Sequence, residues 1–365
     1  MIDAQTPQPD KDAGSYAAIN EMRLLQALGV KLTFIPQNLA YLGNYTEALQ
    51  KMGVECLYAP YQMSVEDVIT QRGAEFDFFY ITRYSVANSY VDLIRQSAPR
   101  AKIAFCNADL HFLREIRAAR AANNPELMQL AVQTREIELG VMRKVDVTLS
   151  YTETEAVVIE SHNLDESKVM KCPWIVEVED EVPSFKERAG LAFLGNYQHP
   201  PNEEAVQFFV NEIMPELRRR VPGVKFHIFG ANMPDRMLAL AADDVIIEGY
   251  ADDVRDAYHR FRIFVAPLRS GAGIKGKVVG AMASGLPSVL SPIAAEGVGV
   301  SKGAEAEIAE KPADWVEAIA KLYSDESRWT DMSNRARAFS AENFSFALGL
   351  ERMRSALAAA GVYVG

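Results

Sequence analysis

The sequence predicts an α/β chain built as two doubly wound, Rossmann-like domains. Three observations carry this reading. Short apolar runs alternate with helical stretches along nearly the whole chain, as expected of parallel strands covered by helices on both faces. The alternation breaks once, over 173–189, where Pro173, Pro183 and the acidic run 177–181 suggest a linker. Finally, 365 residues exceed what a single core usually holds, so two domains are expected. The expected division is 1–174 and 190–344, with 175–189 between them and a last helix over 345–365 that completes the first domain.

In the first half, Met1-Ile-Asp-Ala reads as the tail of a strand whose beginning is missing, as in a domain cut from a longer protein. The loop 6–15 leads into a helix with Ile19, Met22 and Leu25 on one face, and Gly14 and Ser15 fall in or near its first turn. A Gly-x-Gly-x-x-Gly is missing there, which counts against a dinucleotide enzyme. Strands are then expected over 31–36, 54–58, 76–81, 102–106, 147–150 and 168–171. Helices are expected over 45–52, 64–71, 86–97, 125–144 and 153–161. Ser64 is a natural cap for the second of these, with Glu66 and Asp67 in its first turn. The helix over 125–144 starts with proline and aligns Leu127, Leu130, Thr134, Ile137 and Val141 on one face.

The second half repeats the pattern, with strands over 191–194, 225–229, 245–247, 262–268 and 288–291. Its helices are expected over 202–220, 252–260, 274–284 and 313–323, and a last one over 345–359 carries the stripe Phe346, Leu350, Met353, Leu357. Between the strand ending at Leu268 and the helix starting at Ile274 lies a glycine loop, Ser270-Gly-Ala-Gly273. Gly271 and Gly273 free the backbone for a close approach, and Lys275 and Lys277 sit in the first turn behind them. Loop amides, a helix N-terminus and two cations describe an anion site, most naturally for a phosphate or diphosphate. The plainer alternative is a tight strand-to-helix turn with solvated lysines.

A formal net charge of −11 argues against a nucleic-acid partner. Hydrophobic content of 49% and a mean hydropathy of −0.07 are those of a globular chain. The sequence contains no run near the roughly 18 apolar residues a membrane span needs. The start, Met1-Ile-Asp-Ala-Gln-Thr-Pro, has neither the basic opening nor the apolar core of a signal peptide. Cys56, Cys106 and Cys172 lack metal spacing, and Cys56 and Cys106 lie in strand-like runs, so buried free thiols in a reducing cytoplasm are expected. The five histidines (111, 162, 199, 227 and 259) show no ligand spacing either, so no metal or other cofactor is expected.

Several segments together resemble a known family. They are Gly195-Asn-Tyr-Gln-His-Pro-Pro-Asn-Glu-Glu-Ala-Val206, Ile247-Glu-Gly-Tyr250, Val265-Ala-Pro-Leu268, Gly271-Ala-Gly-Ile-Lys-Gly-Lys277, Ala281-Met-Ala-Ser-Gly-Leu-Pro287 and Ala294-Ala-Glu-Gly297. Their order and spacing are similar to those of GT-B glycosyltransferases of the family-4 type, in the bacterial branch that builds surface polysaccharides. Asp10–Ser15, Phe34-Ile-Pro-Gln-Asn38 and Asp109-Leu-His-Phe-Leu-Arg-Glu115 agree more loosely. The resemblance implies two Rossmann-like domains facing a central cleft and a retaining transfer without metal. A nucleotide-diphosphate sugar is the implied donor, and a glycan or lipid-linked glycan the acceptor. The implied location is cytoplasmic, reaching the inner face of the membrane, with further domains of a longer polypeptide as candidate partners.

By the same resemblance, His111 lies near the sugar and acceptor, with Asp109 beside it as a second catalytic candidate or, alternatively, a helix cap. Lys275, Lys277, Arg269 and the loop Gly271, Ala272 and Gly273 hold the diphosphate, and Gly14 and Ser15 close over it. Tyr250 lies at the base, while Glu296 and Gly297 lie at the sugar or ribose. His199 and Asn202 shape a loop and cap a helix. Two departures from the family pattern stand out. The paired glutamates usual around the glycine loop are Ala272 and Gly280 here, and Asn196 stands where many relatives place an arginine. A lost ribose-binding carboxylate removes about 1.5–3 kcal/mol per hydrogen bond, and glycine within a helix costs about 1 kcal/mol against alanine. Two alternatives stay open: a degenerate, non-catalytic domain that binds a nucleotide, glycan or protein, and a nucleotide-sugar epimerase that needs no acceptor.

Overall fold

The structure is a computed structural model and describes residues 1–162, 164 and 167–364. It divides into two compact units, each treated separately below. Unit 1 holds Met1–Ile175, Ala272–Ile274 and Phe346–Gly365; unit 2 holds Val176–Gly271 and Lys275–Ser345. Gly365, the last residue of the expected C-terminal helix segment, lies outside the described residues.

Unit 1 runs β1 (Ile2–Asp3), α1 (Ala13–Ala27), β2 (Thr33–Pro36), α2 (Asn44–Lys51), β3 (Glu55–Cys56), α3 (Val65–Arg72), β4 (Phe78–Thr82) and α4 (Tyr84–Ser97). It continues with β5 (Lys102–Cys106), α5 (His111–Ala121), α6 (Pro125–Met142), β6 (Val147–Ser150), α7 (Glu153–Glu160) and β7 (Lys168–Lys171). All seven strands are parallel in the order β3-β2-β1-β4-β5-β6-β7. The strands are apolar on both faces because helices cover both, as Phe79, Ile81, Ile103 and Phe105 on one face and Tyr80 and Ala104 on the other show by being buried. Each fully buried side chain of this size contributes about 2 kcal/mol of transfer free energy.

Unit 2 runs β8 (Leu191–Leu194), α8 (Pro200–Phe208), α9 (Met214–Arg220), β9 (Phe226–Phe229), α10 (Asp235–Leu238), β10 (Val245–Gly249), α11 (Arg255–His259) and β11 (Ile263–Ala266). It continues with α12 (Gly276–Ala283), β12 (Ser288–Leu290), α13 (Pro292–Ala295), β13 (Glu307–Ile308), α14 (Pro312–Ser324) and α15 (Glu326–Phe344). The order β10-β9-β8-β11-β12-β13, again all parallel, reproduces that of the first six strands of unit 1. The last helix, α16 (Phe346–Ala359), belongs to unit 1 and buries Gly349, Met353 and Leu357.

Besides the short α10, α13 and β13, which were not expected, three elements differ from the sequence expectation. The helix expected over 202–220 is interrupted by a π-helical turn at Phe209–Ile213. Pro215 explains it, since proline lacks an N–H and its ring clashes with the carbonyl four residues earlier, which a wider turn relieves. Of the stripe expected on one face of α6, Leu127, Leu130 and Ile137 are exposed while Val141 is buried, together with Ala131, Glu138, Leu139 and Met142. The buried face is set by Glu138, whose carboxylate the backbone of α5 holds inside. The nineteen-residue α15 had no expected counterpart; its buried stripe mixes Trp329, Met332 and Phe344 with Ser333, Ala336 and Ser340, so small and polar residues interrupt the apolar pattern.

Of the three free cysteines, Cys106 and Cys172 are buried, but Cys56 is only half-buried. Both buried thiols face the fully buried Glu21, at 3.8 and 3.4 Å from Oε1, and the Tyr151 hydroxyl donates to the same oxygen. Burial pushes the Glu21 carboxyl up to about 7. Among the described residues no helix is long and apolar enough to cross a membrane.

The segment between β7 and β8 is tied into unit 2 by Arg188, which is 0% exposed. Its guanidinium donates to Pro183 O (2.9 Å), Tyr258 O (2.6 Å) and Ser284 O (2.9 Å). Burial lowers its pKa to about 10, so it stays charged at neutral pH. Replacing Arg188 with leucine takes the donor from two buried carbonyls, Tyr258 O and Ser284 O, and from the partly buried Pro183 O, and each buried one costs about 1–3 kcal/mol. The expected result is a loss of at least about 2 kcal/mol in urea denaturation, and a loss below about 1 kcal/mol would contradict this role.

Candidate functional site

In an open parallel sheet, ligands gather beyond the carboxyl ends of the strands, where the strand order reverses. In unit 2 that point lies between β8 and β11. Gly195–Val206 leaves β8 there, and Pro267–Gly271 leaves β11. The glycine loop turns through two left-handed glycines, Gly271 (φ 127°) and Gly273 (φ 72°), a conformation that side chains other than glycine adopt at a cost. Lys275 caps α12 and is buried, and Lys277 follows in the first turn.

Lys277 has the most unusual surroundings. Its ammonium donates to Asn202 Oδ1 and sits 4.5 Å from the centroid of the Phe193 ring. Asn202 is oriented by its own Nδ2, which donates to Asn196 O at 2.7 Å. Among the described residues no carboxylate pairs with Lys277. Burial first, and the charge of Lys275 second, lower its pKa to about 7. A partly buried ammonium, with only a carbonyl dipole and a ring face as partners, gains from an arriving anion. Asn202, expected only to shape and cap, is therefore the lysine's partner; His199, at the cap of α8, makes no side-chain cap bond.

The other expected residues of this unit are placed as follows. Arg269 is exposed and stacks on Phe208 at 5.2 Å, and Ser270 beside it donates to Glu204 at 3.0 Å. Tyr250 is an exposed side chain just past β10. Glu296 ends α13, and Gly297 follows in a left-handed turn (φ 76°). The unexpected Gly280 has a local cause. A Cβ at this position would stand 3.0 Å from Tyr258 Oη and 3.2 Å from Cε2. Tyr258 is buried and its hydroxyl donates to Lys277 O at 3.2 Å. An aromatic ring thus fills the space over α12 that a glutamate side chain would need.

In unit 1 the reversal lies between β1 and β4. Gly14 and Ser15 fall in the first turn of α1, which Asp12 caps. Both the amide and the hydroxyl of Ser15 donate to Asp12, each at 2.8 Å, so a carboxylate already holds the groups expected to meet a phosphate. Arg83, past the end of β4, donates to Asp3 Oδ1 at 3.0 Å, and its Nη2 lies 3.6 Å from where a Gly14 Cβ would be. Arg83 (φ 72°) and Ala108 (φ 63°) are non-glycine residues in left-handed backbone, past the ends of β4 and β5. Such strain persists only where the surroundings enforce it.

His111 starts α5. Asp109 does not cap this helix, the alternative role considered for it. Its carboxylate pairs with Arg114 and lies 3.2 Å from His111 Nδ1. The helix start is held by two buried carboxylates instead. Glu138 accepts the amides of His111 (3.1 Å) and Phe112 (2.8 Å), and Glu155 Oε1 accepts that of Leu110 (2.8 Å). The same Glu155 oxygen accepts the Gly273 amide at 3.0 Å, which lies in unit 1 with Ala272 and Ile274. The Gly273 N–H expected to take a diphosphate is therefore already bound to a carboxylate. Burial opposes protonation of His111, but Glu138 and then Asp109 outweigh it, so its pKa lies above the ordinary value. Arg83, Glu138, Glu155 and Tyr258 were not singled out from the sequence, where each is a lone residue without a motif. As for metals, Glu21, Cys106 and Cys172 bring ligand atoms within 4.8 Å of one another, in the core of unit 1.

The packing of Tyr258 on Gly280 sets a sign. Gly280→Ala should destabilise the protein by denaturant titration, although alanine is the better helix former. In a Tyr258→Leu background the same change should stabilise by about 1 kcal/mol. Equal stabilisation in both backgrounds would show that the ring does not limit this position.

Residues 188–325 match the model of the family "Glycosyl transferases group 1". A protein of Klebsiella pneumoniae described as "Uncharacterized 44.6 kDa protein in cps region" is 25% identical over 163 residues, 42% of each chain. The chain thus matches less than half the length of this curated relative. Among solved structures, Anabaena Alr3699/HepE, in complex with UDP and glucose, superposes with a TM-score of 0.73 at 11% identity, covering 98% of both chains. The sucrose-phosphate synthase of Thermosynechococcus elongatus does so at 0.72 and 11%, covering 96% of both. At this identity the likeness speaks for the fold. The chain has the GT-B fold, and its residues 188–325 match the glycosyl transferases group 1 model, as the motifs led us to expect.

Proposed function

We propose that the chain is a retaining glycosyltransferase that moves a sugar from a nucleotide-diphosphate sugar to a glycan or lipid-linked glycan, in bacterial surface polysaccharide synthesis. The observation that carries the reading is the Lys277 ammonium. It is partly buried, without a carboxylate among the described residues, and set at the strand-order reversal of the unit that contains the segment matching the family model. The match to a protein of a cps region supports the polysaccharide role. The proposed site is cytoplasmic, at the inner face of the membrane, and needs no metal.

In this reading the protein positions two substrates and stabilises charge as the diphosphate leaves. Lys277 meets the diphosphate, with Lys275 and Arg269 as further cations and the Gly271 turn allowing close approach. Tyr250 lies toward the base, and Glu296 and Gly297 toward sugar or ribose hydroxyls. His111 donates to the sugar or acceptor, with Asp109 holding its ring. A second reading draws on Gly280. With Tyr258 over α12, no carboxylate stands at that position for the ribose, which favours a domain that binds a nucleotide or glycan without transfer. A donor panel separates the two: appearance of glycosylated acceptor supports transfer, and nucleotide binding without any product supports the second.

Lys277→Ala should abolish donor binding by calorimetry while the circular dichroism spectrum and melting temperature stay near those of wild type. Unchanged binding would end the proposal. The pH dependence also has a defined sign. The lysine loses its proton as pH rises through about 7, whereas the doubly esterified diphosphate of a nucleotide sugar keeps its charge. Donor affinity should therefore fall as pH rises from 7 to 9, approaching about tenfold per pH unit, and binding near pH 8 should take up a proton. A flat affinity profile over that range would contradict the role given to Lys277.

A further inference from the structure

The helix start that carries His111 has a second feature. Glu138 is fully buried, comes from α6, and grips α5 through both oxygens: Oε1 accepts from His111 N at 3.1 Å and Oε2 from Phe112 N at 2.8 Å. The Oε1 atom also lies 3.5 Å from His111 Nδ1. Asp109 approaches the same ring nitrogen through its carboxylate at 3.2 Å and its carbonyl at 3.1 Å. The ring is fixed edge-on against Tyr84 of α4, with centroids 4.9 Å apart. The charged and titratable groups facing the imidazole are therefore Glu138 from α6, Asp109 and Arg114 from its own segment, and Tyr84 from α4. Every acceptor among them meets Nδ1, and among the described residues none is bonded to Nε2.

We infer that Glu138 is a positioning residue for His111, holding Nδ1–H inward and leaving Nε2 to meet the substrate as a charged hydrogen-bond donor. A buried carboxylate on a helix otherwise lined by Ala131, Leu139 and Met142 is costly unless it is bonded. Here the bonds fix the backbone of the residue and bias the charge of its ring at once. Two carboxylates on one ring nitrogen favour the imidazolium and make His111 a poor base and a good donor. What the ring meets rests on the transferase reading, but its orientation and charge do not.

The test is a nitrogen-15 NMR titration of the His111 ring in wild type, Glu138→Gln and Asp109→Asn, with donor-dependent transfer measured alongside. Wild-type His111 should titrate above the value of free histidine and keep its proton on Nδ1 when neutral. In Glu138→Gln the midpoint should fall by about one pH unit, kcat should fall at least tenfold, and KM for the donor should change less than threefold. A folded Glu138→Gln variant with an unchanged midpoint or an unchanged kcat overturns the inference. Should that variant not fold, wild type decides: a midpoint at or below that of free histidine, or a neutral form protonated on Nε2, overturns it. The expected titration in a protein that transfers no sugar from any donor would sink the transferase reading alone.

Discussion

The proposed function rests on the Lys277 ammonium, which the fold buries in part and leaves without a carboxylate partner among the described residues. Lys277 is held by an amide oxygen and an aromatic face. Neither compensates fully for lost hydration, which is why its proton is held so weakly. The surrounding design follows from keeping this group in place. Asn202 is tethered to the backbone at Asn196, and α12 is pinned by Tyr258, whose ring lies 3.0–3.3 Å from where a Cβ at position 280 would stand.

Unit 1 applies the opposite solution to a similar sheet. At its helix starts the amides that could receive an anion are already bound to carboxylates: Asp12 on α1, and Glu138 and Glu155 on α5. One carboxylate oxygen of Glu155 even gathers the Gly273 amide, 118 residues away in sequence. The two sheets share the order of their first six strands, yet one unit offers a cation and the other is closed to anions at these helix starts. This asymmetry is what assigns the diphosphate to unit 2 in the proposed function.

Much of the fold was legible in the sequence because parallel strands buried on both faces are short unbroken apolar runs, as in 78–82, 102–106 and 263–266. The failures have specific causes. The α15 helix interrupts its buried stripe with Ser333, Ala336 and Ser340, which blur the hydrophobic period, and α6 turns Leu127 and Leu130 to water while Glu138 reaches α5. For the site, the glycine loop and its lysines were legible, since local spacing alone describes an anion-binding turn. The role of Asn202, the closure over Gly280, and the carboxylates on the start of α5 were not. Each depends on a partner far along the chain, and a lone glutamate in a helix looks like a solvated one.

The most direct test of the central claim is a diffraction map of crystals soaked with an equimolar mixture of UDP, GDP and dTDP, which leaves the base undecided in advance. The account predicts diphosphate density within hydrogen-bonding distance of Lys277 Nζ, at the carboxyl ends of β8 and β11. Density only at the start of α1 or α5, or none beside Lys277 at saturating nucleotide, would contradict it.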